Sequence, residues 1–415
     1  MFENQNSIGE FLPEIPLAWQ RSGGQSATVT RFAEMTELKP LIEGNNAFAL
    51  QLYGKLRSAE GNLIFPPYSI SSALAMAYAG AGGETARQME QGLHFAECKT
   101  NLHEQFARLA AVWKAAQAEQ DIELHVANSL WPQEKHPFLD AFLDLLKQHY
   151  GAVVTALDYP RDPEGARAAI NEWVNQNTWQ KITEIIGPGM IDSLARMVLV
   201  NAIYFKGAWA TPFPASRTQP QRFYLDPDRA VVVPFMNEQD EFNYAENDEL
   251  QLLVLPYGKK QLHMVLLLPR AKDGLARLEG SLNPTSLAGW IGQLRQTEVR
   301  VAMPKFKMAC TTTLSETLQS LGMKDAFDVK LADFSGIDGM LHSLYLSAVL
   351  DRAFIEVNEE GTEAAAIAAV FGRWVGRLSL EPPEFRADHP FVFLIRDSTT
   401  GSILFMGRVS APENG

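Results

Sequence analysis

Residues that could act as nucleophiles, bases or metal ligands are present in the chain, but their spacing matches no known catalytic pattern. No GxSxG, HExxH, Walker A or dinucleotide-binding fingerprint occurs in the sequence. His94, Cys98 and His103 lie close together, yet their spacing fits no standard zinc site. The glycine-rich stretch 80–83 follows no predicted strand, which favours a tight turn between helices over a phosphate loop. We therefore expect neither an enzyme nor a bound metal or cofactor.

A different kind of chemistry is indicated by one segment near the C-terminus, EEGTEAAAIAAVFGRWVGRLSLEPPEF at residues 359–385. Its alanines are the strongest helix formers. However, Gly361 opens the run, Gly372 and Gly376 interrupt it, and two prolines at 382–383 close it. The stretch Arg-Trp-Val-Gly-Arg within it looks exposed and lies just before the last predicted strands. A surface helix turn is the simplest alternative interpretation of the same residues.

The bulk composition is that of a globular protein with an acidic balance. Of the 415 residues, 46% are hydrophobic and 20% are charged, which leaves no room for extensive disorder. The formal net charge of −13 argues against nucleic acid or a membrane as a partner, and the apolar runs are too short to span a bilayer. Two cysteines imply no disulfide framework. No signal peptide is visible, so a secreted or periplasmic location and a cytoplasmic one both stay open.

The elements that would position this segment are helices in the first half of the chain and strands in the second. Helices are predicted from the N-cap at Asn45 or Asn46 and at residues 69–79, 84–91, 137–150, 164–181 and 312–321. Strands are predicted at residues 122–131, 198–205, 230–235, 250–257, 262–268, 299–306, 344–357, 391–396 and 403–409. This order predicts an α+β fold with a single domain at residues 44–411, preceded by an extension of low order at residues 1–43.

Several motifs, in the same order along the chain, resemble those of the serpin family. VNEEGTEAAAIAAV (357–370) is similar to the hinge of the family's reactive loop, and LVNAIYFKGAWATPF (199–213) to the strand that ends in its breach tryptophan. Four further stretches match: NLIFPPYSISSALAMAYAGAGGETARQM (62–89), VPFMNEQDEFNYAENDELQLLVLPY (233–257), VAMPKFKM (301–308) and DHPFVFLIRDSTTGSILFMGRV (388–409). The resemblance covers residues 44–410. It implies three β-sheets, eight to nine helices and an exposed reactive-centre loop at about residues 359–384.

The resemblance also implies a function, because most serpins trap serine proteases covalently. The protease attacks a bait bond in the loop and forms an acyl-enzyme, and the cleaved loop then inserts as a new strand in the central sheet. The chain is therefore predicted to be a monomeric inhibitor whose partner is a serine protease, held as a covalent acyl complex. No heparin-like activator is expected, because the sequence has no stripe of Lys and Arg. A non-inhibitory serpin that acts as a carrier or binding scaffold is the alternative.

The hinge of the loop has the residue pattern that strand insertion requires. We define the hinge as Glu359, Glu360, Gly361, Thr362, Glu363, Ala364, Ala365 and Ala366. If insertion begins at Thr362, every second residue up to Gly372 lies on the inner face, and all of these are small to medium and uncharged. Glu363 falls on the outer face, and a register shifted by one would bury it unpaired at a cost of roughly several kcal/mol. Non-inhibitory members typically carry charged or bulky residues here, so inhibition is favoured.

The position of the bait bond follows from its distance to the hinge in many inhibitory serpins. Their scissile residue is the first of seventeen counted back to the glutamate that opens the hinge, and Val375 and Glu359 have this relation. The prediction is cleavage between Val375 and Gly376, and a small β-branched residue suits an elastase-like protease. Alternative bait residues are Arg373 and Arg377 for a trypsin-like protease and Trp374 for a chymotrypsin-like one.

Four residues match the parts of the serpin fold that control insertion. Trp209 takes the place of the breach tryptophan at the top of the central sheet, and Asn201 and Ser69 match polar positions of the shutter beneath the strands that part. Asp351 stands where the family's shutter histidine is expected. A buried carboxyl group needs hydrogen-bond donors, and Asn201 is a candidate partner. We therefore predict that opening of the sheet depends on pH.

Overall fold

The computed structural model describes residues 25–120, 122–362 and 381–412. In these ranges it has ten α-helices: α1 Gln25–Leu56, α2 Pro67–Tyr78, α3 Gly83–Gly92, α4 Leu102–Gln120, α5 Asp140–Tyr150, α6 Pro163–Asn177, α7 Leu275–Ser281, α8 Pro284–Gly292, α9 Ser315–Ser320 and α10 Ser335–Asp338. Short 3-10 helices occupy Lys99–Asn101, Ala215–Arg217 and Asp325–Phe327. None of the described helices has both the length and the apolar character needed to cross a membrane.

The described residues also form fifteen strands. They are β1 Leu63–Phe65, β2 Ile122–Pro132, β3 Val153–Val154, β4 Met197–Ala208, β5 Gln219–Tyr224, β6 Ala230–Glu246, β7 Leu250–Pro256, β8 Leu262–Pro269, β9 Arg295–Pro304, β10 Phe306–Thr313, β11 Val349–Val357, β12 Gly361–Thr362, β13 Glu384–Arg386, β14 Phe391–Asp397 and β15 Ile403–Val409. Helices dominate the first half and strands the second, so the predicted α+β class is confirmed.

Helix ends follow the local chemistry of the chain where that chemistry is strong. Helix α5 ends at Gly151, which adopts the left-handed conformation with φ 56°. Helix α6 begins after Asp162, whose carboxylate accepts a hydrogen bond from the Gly165 amide at 2.8 Å, and Pro163 fills the first helical position. The predicted helix at 312–321 is shorter, because Thr312 still belongs to strand β10 and α9 begins at Ser315.

The start of the first helix was predicted wrongly. Helix α1 begins at Gln25 instead of Asn45 or Asn46, so residues 25–43 are helical and not of low order. It continues through Pro40, although proline removes a helical hydrogen bond. Leu38, Leu41 and Ile42 are buried in the main core, and this packing offsets the weak local preference. Residues 1–24 lie outside the described ranges.

The sheet that positions the candidate site has the strand order β10-β11-β4-β2-β3, with β12 paired to β4. Strands β4 and β11 run parallel at its centre, and Asn201 is the register partner of Asp351. Both strands alternate between two buried layers. Residues such as Leu199 and Ile203 face the main core, whereas Val200 packs into a separate cluster with α6.

The remaining strands form a second hydrogen-bonded sheet in the order β1-β15-β14-β8-β7-β6-β9-β13, with β5 paired to β6. Three sheets were expected, and the described residues show two connected ones. The long strand β6 explains the difference, because its first part pairs with β5 and its last part pairs with β7, while β9 lies alongside most of it. The ten α-helices exceed the predicted eight to nine, and one of them, α10, has only four residues.

Candidate functional site

The hinge begins in a tight turn at the end of strand β11. The Asn358 amide donates to the Gly361 carbonyl at 2.8 Å, and the Gly361 amide donates back to the Asn358 carbonyl at 3.2 Å. Gly361 has φ 140°, and a Cβ atom there would lie 2.2 Å from the Gly207 carbonyl oxygen and 2.7 Å from the Ala208 Cα. Only glycine allows this close approach, so Gly361 fixes how the chain turns back towards β4.

After this turn, the chain pairs with β4 in the antiparallel direction. Gly361 is the register partner of Ala208, and Thr362 is the register partner of Gly207. The parallel pairing of β11 with β4 ends lower down, at the pair formed by Phe354 and Tyr204. The upper end of β4 is therefore occupied by the start of the hinge instead of by β11.

Trp209 holds the turn from the side, at the place predicted for the breach tryptophan. Its indole Nε1 donates to the Asn358 carbonyl at 3.0 Å, and its backbone amide donates to the Glu360 carbonyl at 2.9 Å. The indole stacks on Tyr257 with ring centroids 4.4 Å apart and an interplanar angle of 13°. Trp209 is thus both a core aromatic residue and a direct support of the hinge.

Glu359 anchors the outer side of the turn through both carboxylate oxygens. Lys305 Nζ lies 2.9 Å from one oxygen, and Thr218 Oγ1 donates to the other at 2.8 Å. The Phe213 amide donates to the Glu359 carbonyl at 2.8 Å. Burial alone would raise the pKa of Glu359, but the hydrogen bonds from Lys305 and Thr218 outweigh it and hold the pKa below its ordinary value.

A row of polar side chains crosses the buried layer lower in the same sheet. Asn201 Nδ2 donates to Ser69 Oγ on α2 and, at 2.6 Å, to Asn128 Oδ1 on β2. Asn128 Nδ2 in turn approaches Ser72 Oγ at 3.3 Å. Asn201 and Ser69, both predicted as shutter residues, are therefore in contact, and Asn128 and Ser72 extend the network towards β2.

Asp351 lies next to this network but does not join it. It is fully buried and is the register partner of Asn201, yet neither of its carboxylate oxygens has a hydrogen-bond partner among the described residues. The predicted hydrogen bond from Asn201 is wrong, because Asn201 directs its Nδ2 to Ser69 and Asn128. Burial raises the pKa of Asp351 well above its ordinary value.

The sequence analysis did not predict the two side chains that contact the Glu359 carboxylate. Lys305 and Thr218 lie far from Glu359 in sequence, and Lys305 entered the sequence analysis only as part of the motif VAMPKFKM.

The candidate bait residues and the second half of the hinge lie outside the described residues: Glu363, Ala364, Ala365, Ala366, Arg373, Trp374, Val375, Gly376 and Arg377. Within the described ranges, no group of three or more His, Cys, Asp and Glu side chains is placed to hold a metal ion.

Comparison with known proteins was made for the whole chain. The family model described as serpin (serine protease inhibitor) matches residues 43–412. Leukocyte elastase inhibitor of Bos taurus is 38% identical over 90% of this chain and 100% of that protein. An uncharacterized serpin-like protein of Thermococcus kodakarensis is 38% identical over 91% of this chain and 87% of that protein. The solved structure of Serpin48 from the insect Tenebrio molitor has a TM-score of 0.78 at 31% identity, covering 89% of this chain and 97% of that one.

Proposed function

Because this chain belongs to the serpin family, we propose that it inhibits a serine protease by offering residues 359–384 as a substrate. The protease serine forms an ester with the Val375 carbonyl, and the amine of Gly376 leaves as a new N-terminus. The cleaved segment then inserts between β4 and β11 and carries the ester-linked protease with it. Each molecule offers its bond once, so the protein acts as an inhibitor and not as an enzyme.

The observation that carries this proposal is the pairing of Gly361 and Thr362 with the upper end of β4. The hinge already runs antiparallel to β4, which is the direction that a strand inserted from the top would take. Since β4 and β11 are parallel to each other, one inserted strand is antiparallel to both of its neighbours. Such pairs exchange regular perpendicular hydrogen bonds. Insertion then extends the pairing that Gly361 and Thr362 already make with β4, so no new strand pairing has to be nucleated.

Extending that register predicts where each loop residue comes to lie. Glu363 becomes the partner of Lys206, and Ala368 becomes the partner of Asn201, by continuation from Thr362 and Gly207. Lys206 already forms an ion pair with Glu123 of β2 at 3.5 Å, so Glu363, the one charged residue of the stretch 362–372, meets a cation. The alanines at even positions enter the layer that holds Asn201, where small uncharged side chains fit.

An elastase-like protease is the target that we favour. The spacing from Glu359 favours a bait bond after Val375, and a small β-branched residue suits a shallow apolar pocket. The curated relatives include leukocyte elastase inhibitors of Bos taurus and Xenopus laevis, at 38% and 39% identity. A trypsin-like protease acting at Arg373 or Arg377 is the competing possibility for the target.

The test is incubation of the protein with neutrophil-type elastase, trypsin and chymotrypsin at near-equal ratio. Denaturing gels detect a covalent complex, and mass spectrometry identifies the released C-terminal peptide. We expect a stable complex with elastase and a peptide that starts at Gly376. A complex formed only with trypsin, with a peptide starting at Trp374 or Leu378, would keep the mechanism and overturn the elastase assignment.

The result that would overturn inhibition itself is cleavage by all three proteases without any stable complex. The loop would then be an ordinary substrate, and a non-inhibitory carrier or scaffold would be the better description.

A further inference from the structure

The seam between β4 and β11, which must open for insertion, carries a continuous polar row that is buried at its centre and partly buried at its two ends. Thr312, Asp351, Asn201 and Asn128 are successive register partners on strands β10, β11, β4 and β2. Paired residues on neighbouring strands point to the same face of a sheet. Their common face is the one towards α2, because Asn201 bonds to Ser69 on that helix.

At the centre of this row, there are more hydrogen-bond acceptor atoms than hydrogen-bond donors to pair with them. Both oxygens of Asp351 and the Oδ1 atom of Asn201 are buried without a hydrogen-bond partner among the described residues. An ionised Asp351 would place a negative charge beside another unsatisfied acceptor. Buried charges without partners are strongly unfavourable, whereas a neutral acid supplies one donor.

Among the described residues, no charged group faces Asp351 to compensate for an ionised carboxylate. Strand β4 presents Asn201, β1 consists of Leu63, Ile64 and Phe65, and the near face of α2 presents Ser69. Strand β10 presents Thr312 and, two residues away, the thiol of Cys310, which donates to the Asn62 carbonyl at 3.8 Å. The ionisable side chains of α2 are two tyrosines, Tyr68 and Tyr78, and burial raises the pKa of both.

The neighbouring cation on β11 lies on the other side of the sheet. Arg352 follows Asp351 in the strand and so points to the opposite face. There its Nη1 donates to the backbone carbonyl of Glu184.

We propose that Asp351 is a neutral carboxylic acid in the closed sheet and donates its proton to Asn201 Oδ1, so that opening the seam releases a proton. The resulting bond satisfies two of the unpaired groups and fastens β11 to β4 at the level where Ala368 would insert. Burial, which raises the pKa of Asp351, acts in the same direction. The link to inhibition rests on the proposed function, but the protonation of Asp351 in the closed sheet does not.

The sign of the pH dependence follows from the raised pKa. Once the seam opens and water reaches Asp351, the carboxyl returns towards its ordinary pKa of about 3.9. The closed sheet is therefore fully stabilised by this group below that value. The stabilisation is lost as pH rises towards the pKa of the buried acid. In this window, opening becomes easier by up to about tenfold per pH unit, because one proton is released.

The test measures how fast a synthetic peptide with the sequence of residues 362–372 enters the sheet of the intact protein. Rates are compared for the wild-type protein and Asp351→Asn between about pH 5 and about pH 7 at constant ionic strength. We expect the wild-type rate to rise by up to about tenfold per pH unit relative to the variant. Asp397→Asn is the control, because Asp397 is equally buried but accepts hydrogen bonds from Thr399, Thr400 and Gln261. It should keep the wild-type slope.

A second measurement decides the matter if Asp351→Asn fails to fold. Infrared spectroscopy of the wild-type protein at neutral pH should show the carbonyl band of a protonated carboxylic acid that disappears on unfolding. Absence of this band, or equal pH slopes for wild type and Asp351→Asn, would overturn the proposal. If the band is present and no protease complex forms, the proton assignment stands and the proposed inhibitory function fails.

Discussion

Two carboxyl groups flank the path that we propose for the inserting loop, and their surroundings in the fold are opposite in kind. Glu359, at the turn where the loop begins, accepts from Lys305 and Thr218. Asp351, halfway down the seam, is fully buried and has neither a cation nor a donor among the described residues. The same functional group is therefore stabilised as an anion at one place and as an acid at the other.

This difference implies that the contributions of Glu359 and Asp351 to stability depend on pH with opposite signs. The pKa of Glu359 is lowered, so its contribution to stability is present at neutral pH and is lost as pH falls through the lowered value. The pKa of Asp351 is raised, so its contribution is complete at low pH and is lost as pH rises. A fall in pH should therefore weaken the contacts of Glu359 at the hinge, and a rise in pH should weaken the contact of Asp351 between β11 and β4.

The largest effect on inhibition is expected when a third carboxyl group is added to the inserting loop, at a position that would lie between the levels of Glu359 and Asp351 after insertion. Ala366→Asp puts a charge on the inner face of the inserting strand, where burial without a partner costs roughly several kcal/mol. We expect the variant to be cleaved by the target protease as a substrate without forming a complex. The ratio of complex to cleaved product on denaturing gels measures this.

The matched control for that variant is Ala365→Asp, which adds the same charge one residue earlier on the outer face. It should retain more of the covalent complex than Ala366→Asp, because cations lie on that face at this level. Lys307 Nζ is 5.6 Å and Lys181 Nζ is 5.9 Å from the centre of the Phe354 ring, and Phe354 is the register partner of Tyr204. Equal loss of inhibition in both variants would contradict the proposed register.

A smaller effect of opposite sign is expected for Asp351→Asn on the stability of the uncleaved protein. Asparagine can donate to Asn201 Oδ1 without binding a proton, so the variant should match the wild type near pH 4 and exceed it at neutral pH. The gap in the free energy of unfolding should widen by up to about 1.4 kcal/mol per pH unit. Urea unfolding across this range checks it, and a variant less stable at every pH would break the comparison.

Glu359→Gln should lower the free energy of unfolding at neutral pH by about 1 kcal/mol, because the ion pair with Lys305 is only partly shielded from water. The difference from wild type should begin to shrink as pH falls below the ordinary glutamate pKa of about 4.3 and should vanish below the lowered pKa of Glu359. Urea unfolding of both proteins as a function of pH measures it. A difference that stays constant down to acidic pH would mean that the charge of Glu359 is not the cause.

The smallest effect is expected for Thr218→Val, which removes one hydrogen bond to Glu359 and keeps the shape of the side chain. The loss should be about 0.5–1 kcal/mol. The pKa of Glu359 should move up towards its ordinary value, which nuclear magnetic resonance titration of its carboxyl carbon can follow. An unchanged pKa would leave Lys305 as the dominant partner.

The sequence could predict features that depend on neighbouring residues. Gly151 ends α5, and Asp162 with Pro163 begins α6, as local chemistry dictates. The positions of Trp209, Asn201 and Ser69 were also predictable, because whole motifs around them resemble a known family. The early start of α1 was not, since it depends on the burial of Leu38 and its neighbours.

The contacts that decide the two carboxyl groups could not be predicted for a physical reason. Glu359 and Lys305 lie on distant parts of the chain, and their meeting depends on how β10 and β11 pair. The isolation of Asp351 depends on where Asn201 points its amide, which is set by Ser69 on another element. Register across strands is a property of the folded sheet and not of either segment alone.

The most direct test of the central claim is a crystal structure of the protein after cleavage of its loop. The account predicts a new strand between β4 and β11, with Glu363 as the register partner of Lys206 and Ala368 as the partner of Asn201. A cleaved structure in which Asn201 is still paired directly with Asp351, and the loop lies outside the sheet, would contradict it.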